Sequence, residues 1–75
     1  MKELNDVYKS IAFHKAGSYT YTLTEVTEDL EVLASWFLSE APKVKHGNKS
    51  AAKRMRKYTK SLEYLGLIFR KLSVK

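Results

Sequence analysis

A chain of 75 residues, 44% hydrophobic and 29% charged, suffices for one small folded domain and is too apolar for global disorder. The absence of cysteine excludes a disulfide framework and a thiolate metal site. The net charge of +6 is unevenly divided: Lys43–Lys75 set eleven cations against Glu63 alone (+10), and Met1–Pro42 set three lysines against seven acids (−4). The chain therefore reads as one domain over 1–75, with an acidic helical part at 1–42 and a long basic helix in 43–75 that seeks polyanions.

The first predicted element is an amphipathic helix over Lys2–Lys15. Leu4, Tyr8, Ile11 and Lys15 follow steps of four, three and four, with Val7 and Ala12 beside them. The start, Met-Lys-Glu-Leu-Asn-Asp, is acidic and does not lead into an apolar run, so no secretory signal is expected. No stretch approaches the roughly 20 apolar residues of a membrane span. A soluble protein of the cytoplasm is expected, with no membrane partner.

Gly17–Leu23 follows, with Tyr19, Tyr21 and Leu23 alternating against Thr20, Thr22 and Thr24. These residue types favour a strand, but the chain offers no second strand to pair with it. The segment 17–24 reads as an extended connector, and a strand pairing with a second copy is the alternative.

A second helix is predicted over Glu28–Ala41. Thr27 is its expected N-cap, Glu28, Asp29 and Glu31 place negative charge near its start, and Val26, Leu30, Leu33 and Phe37 form its stripe, with Trp36 alongside. Pro42 is expected to close it, since proline disfavours helical angles at the residue before.

After a Pro42–Gly47 loop, Asn48 or Ser50 can cap a helix running to about Ser73. Ala51, Met55, Tyr58, Leu62, Leu65, Phe69 and Leu72 step alternately by four and three, a heptad seam. Ala52, Thr59, Gly66 and Ser73 form a small column beside it, and a packing reason for Gly66 is expected because glycine weakens a helix interior. Lys49, Lys53, Arg56, Lys57, Lys60, Arg70 and Lys71 lie off the seam and Arg54 flanks it; with Glu63 as the lone acid, this reads as a phosphate-binding face. The seam reads as core or self-association surface.

The run Gly47-Asn48-Lys49-Ser50-Ala51-Ala52-Lys53-Arg54-Met55-Arg56, with Leu62-Glu63, Phe69-Arg70-Lys71 and Ser73, resembles the bacterial histone H1-like DNA-condensing proteins of chlamydial type. Their N-terminal domain carries a similar Gly-Asn-Lys-x-Ala-Ala-x-Arg-x-Arg stretch leading into a heptad-bearing helix. The resemblance is confined to the C-terminal helix. It implies a self-associating helical hairpin and sequence-independent, nucleoid-type DNA association. The long Lys/Ala/Pro-rich tail of that family, from which much DNA affinity is expected, has no counterpart here. Nor do the Tyr/Thr segment and the Trp36 helix look like its shorter N-terminal helix. A phage or mobile-element protein acting in its host's cytoplasm would fit such a truncated form.

Nothing in the chain reads as catalytic machinery. Gly17, Gly47 and Gly66 are isolated, and no His-Glu-x-x-His, paired-carboxylate or Ser-His-Asp arrangement occurs. His14 and His46 read as surface residues rather than ligands, so neither metal nor cofactor is expected. The fold expectation is all-α, a small bundle with the second and third helices as an antiparallel hairpin and the first packed on them or on a second copy. A second helix of about 21 Å against one of about 37 Å leaves Phe69 and Leu72 for another subunit, so a homo-oligomer is expected. DNA is the leading partner. The alternatives are an acidic protein bound by a small interaction module, for instance a phage-type inhibitor of a host protein, and a membrane-surface helix, for which the apolar stripe is narrow.

Overall fold

The computed structural model describes residues 2–74; Met1 and Lys75 lie outside the described residues. It is all-helical: α1 spans Leu4–Lys15, α2 Leu23–Lys45 and α3 Lys49–Ser73, with no strand among the described residues. Helices α2 and α3 pack along their length as the expected hairpin, and α1 lies against them.

Two helices end by the same device. The Ser18 N–H donates to the Phe13 carbonyl and the Gly17 N–H to His14. At the end of α2, the Asn48 N–H donates to Lys43 and the Gly47 N–H to Val44. Both patterns are Schellman motifs, which need a left-handed residue after the cap, and Gly17 and Gly47 supply it at φ 80° and 85°. Gly47 therefore sets the α2–α3 turn, and Asn48 at once caps α3 by accepting from the Ala51 N–H at 2.9 Å.

The second helix is longer at both ends than its sequence suggests. Its N-cap is Thr22, whose Oγ1 accepts from the Glu25 N–H at 3.1 Å; Thr27 lies inside the helix and donates to the Leu23 carbonyl at 2.7 Å. The predicted connector at 17–24 is thus non-helical up to Thr22, itself extended, and helical from Leu23 onward; no strand forms within the described residues of one chain. Thr22-x-x-Glu25 carries the Thr/Glu spacing of a helix start, which outweighs the β-type alternation before it. Tyr19 stays half-buried and Tyr21 is buried in the core.

Pro42 does not close the helix, which continues to Lys45. Proline leaves the Leu38 carbonyl without its helical donor. Leu38 is on the solvent side, so water can replace that donor. The two hairpin arms, of 23 and 25 residues, are therefore nearly equal, about 35 and 38 Å, and the expected mismatch of lengths disappears.

The core joins Val7 and Ile11 of α1, Tyr21, Val26 and Leu33 of α2 and its approach, and Tyr58 and Leu65 of α3. Each hairpin arm buries a column seven residues apart, Val26, Leu33 and Glu40 against Ala51, Tyr58 and Leu65. Met55 and Leu62 are half-buried beside it. Phe69 and Leu72 remain 36% and 38% exposed, at the end where α2 begins.

The expected packing reason for Gly66 is not found among the described residues. A Cβ built there meets nothing within 4 Å, and Gly66 has no left-handed φ. Two glycine-to-alanine substitutions should thus have opposite signs. Gly47→Ala forces a side chain into the left-handed region and should destabilise by about 1 kcal/mol, whereas Gly66→Ala should stabilise by about as much. Thermal melts by circular dichroism would read this as Tm shifts of about 4–8 °C in opposite directions. A fall in Tm for Gly66→Ala would mean that something packs on that column.

A candidate anion-binding face on α3

At about 100° per residue, the buried column Ala51–Tyr58–Leu65 fixes which side of α3 faces outward. Lys49, Lys53, Arg56, Lys57, Lys60, Arg70 and Lys71 are all exposed. Lys49, Lys53, Arg56 and Lys60 fall on one outward stripe about 17 Å long. Glu63 and the exposed Leu67 interrupt it before Arg70 and Lys71. The face is thus a dense block over Lys49–Lys60 and a separate pair near the C-terminal end of α3.

Two of the predicted contacts have other work. Arg54 is turned into the hairpin: its Nε donates to Glu40 Oε2 at 3.0 Å, and its Nη2 lies 2.8 Å from the same oxygen. Glu40 is only 3% exposed. The Arg54 hydrogen bond, outweighing the cost of desolvation, holds the Glu40 carboxyl below the usual carboxylate range. Lys43 adds a longer contact at 3.6 Å. Arg54 accordingly fastens α3 to α2 and is not free for phosphate. Lys57 Nζ sits over the Tyr8 ring, 4.4 Å from its centroid, which ties α1 to α3 while leaving Lys57 exposed.

The other half-buried polar groups are structural too. His14, expected at the surface, is half-buried, with Nδ1 2.5 Å from the Tyr64 hydroxyl and its ring 5.3 Å from Tyr21. Tyr64 also lies under Lys15 Nζ at 5.1 Å. The buried Asp29 carboxylate pairs with Lys2 Nζ at 2.5 Å, a contact of charge and proximity, since neither Asp29 oxygen receives a well-aligned hydrogen bond. Burial, then the Asp29 charge, pushes the Tyr21 phenol up. The Tyr19 hydroxyl donates to Glu25; burial, then this bond, raises Tyr19 to about 12, and the same bond lowers Glu25.

These lowered carboxyls set an acid limit. Glu40 and Glu25 bind protons less readily folded than unfolded, so their contribution is complete above the ordinary carboxylate range and is lost as pH falls through and below that range. The urea midpoint should be lower at pH 3 than at pH 7, with part of the difference removed in Glu40→Gln. A pH-independent midpoint would contradict the Arg54–Glu40 fastening.

No protein-family model, curated protein or solved structure matches this chain. Charge and geometry carry the functional reading. Among the described residues, no three His, Asp or Glu side chains gather as a metal site, and no helix is long and apolar enough to cross a membrane.

The Arg54–Glu40 pair was not legible beforehand because its partners come from different helices. A signal for Glu40 existed, however. Val26, Leu33 and Glu40 are seven apart, which places an acid on the buried column and demands a cation opposite.

Proposed function

We propose that this protein binds duplex DNA without sequence preference, in the manner of a nucleoid-associated, histone-like protein, and that it self-associates. The observation supporting the DNA reading is the outward block of Lys49, Lys53, Arg56, Lys57 and Lys60, exposed and without an acid among them. Solvated helix faces usually intersperse acids that pair with cations four residues away. A single-signed stripe instead raises a positive potential that tracks a phosphate backbone, giving affinity without reading bases. The resemblance of Gly47–Arg56 to histone-like helices agrees with this reading.

The test is a titration of labelled duplexes of unrelated sequence over a salt series. Affinity should fall linearly on a log–log plot and differ little between sequences. Absence of binding at low salt would reject the reading. The second reading, an interaction module whose basic face meets an acidic protein, is favoured by the exposed Phe13 and Trp36, and would then take precedence.

A further inference from the structure

Six of the eight acids fall into two groups. Glu25, Asp29 and Glu40 are each engaged, by Tyr19, Lys2 and Arg54. Glu3, Glu28 and Glu31 are exposed and line one place, a groove between the start of α1 and the outer side of α2. The groove has two adjoining parts of about 360 and 460 Å³, which share Lys2 and the Trp36 indole. Trp36 is the only tryptophan of the chain and is 43% exposed. Among the described residues Lys2 is the one cation lining the groove, and its Nζ is directed at the buried Asp29, so its charge is already matched.

We infer that this groove receives the Lys53–Lys60 stripe of a second copy, giving a head-to-tail contact between unlike surfaces. The inference rests on the self-association part of the proposed function and names its surface. Charge complementarity chooses the occupant. Glu28 and Glu31 of the groove, and Lys53, Arg56 and Lys60 of the stripe, have no ion-pair partner among the described residues. Glu28 and Glu31 stand about one helical turn apart, as do Lys53 and Arg56, so two helices crossing there can match both pairs at once. The partly exposed Trp36 indole lines the same groove, where an arriving guanidinium can add a cation–π contact. Because the two surfaces differ, the contact is heterologous and can propagate from copy to copy. Repulsion between chains of charge +6 keeps it weak.

The deciding experiment uses two charge-reversed full-length chains, Glu28→Lys/Glu31→Lys and Lys53→Glu/Arg56→Glu/Lys60→Glu, each checked for helicity. Sedimentation velocity at high micromolar concentration should show the parent self-associating, and dissociating in about 1 M salt, where charges are screened beyond about 3 Å. Each reversed chain alone should associate at least about tenfold more weakly than the parent. Mixed, they should co-associate in equal proportion, since one keeps the stripe, the other keeps the groove and the reversed pair is complementary too, and the Trp36 emission of the groove-bearing chain should shift on mixing. A parent that remains monomeric overturns self-association and this contact with it. A parent that associates while the two reversed chains fail to complement each other overturns this contact alone, and loss of association in Phe69→Ser/Leu72→Ser would then place the interface on the apolar seam. DNA binding by Glu28→Lys/Glu31→Lys, which keeps the whole stripe, reports on the DNA reading separately.

Discussion

Replacing Lys53, Arg56, Lys57 and Lys60 together by glutamine should weaken duplex DNA binding by about 30- to 1,000-fold at low salt. Each exposed cation–phosphate pairing resembles a surface ion pair worth up to about 1 kcal/mol, and four of them amount to about 2–4 kcal/mol. The salt slope should flatten by roughly one unit for each phosphate that is no longer neutralised. The helix should persist, because all four side chains are exposed and glutamine is a good helix former. Of the four, Lys57 alone has a partner among the described residues, and removing its ammonium from the Tyr8 ring costs one exposed cation–π interaction of about 0.5–1 kcal/mol. Arg54 belongs outside this set. Arg54→Gln would strip the buried Glu40 of its main partner, so any drop in DNA affinity would be confounded by a loosened hairpin. Unchanged affinity in the quadruple variant would place DNA binding elsewhere on the surface and reject the stripe.

The outward face of α3 was readable beforehand because it depends on periodicity alone. Once Ala51, Tyr58 and Leu65 occupy a seven-residue column, the exposure of Lys49, Lys53, Arg56 and Lys60 follows from the helical pitch. The hairpin was readable for the same reason, since the α2 stripe shares that repeat. The two ends of α2 were not. At its start, alternating Tyr and Thr favour an extended chain locally, but burial of Tyr21 and the Thr22–Glu25 cap decide in favour of an earlier helix. At its end, Pro42 breaks a hydrogen bond only on the solvent side, so the penalty that stops a buried helix does not stop this one; the left-handed Gly47 does. Contacts between elements were out of reach. Arg54 shares its local charge pattern with Lys53 and Arg56, and only the position of Glu40 on the facing helix separates a fastener from a free cation.

Leu65→Ala should destabilise the fold by about 2–5 kcal/mol, the usual cost of removing a large buried side chain whose surroundings cannot fully collapse. Leu65 is fully buried and belongs to the cluster where all three helices meet, with Val7, Ile11, Val26, Leu33 and Tyr58. Stability scales as about 0.05–0.15 kcal/mol per residue, so a chain of this size holds roughly 4–11 kcal/mol, and the single substitution removes a large share of it. Thermal melts should show a fall of at least about 10 °C. Phe69→Ala is the informative comparison. Phe69 lies on the same seam but keeps 36% of its surface in water, so its removal should cost distinctly less in a dilute monomer. If Phe69→Ala costs as much as Leu65→Ala, and the cost grows with protein concentration, a second copy covers the seam there. Binding of that copy then contributes to the apparent stability of the chain by mass action. A small, concentration-independent cost for Phe69→Ala beside a large one for Leu65→Ala leaves the three-helix core self-sufficient.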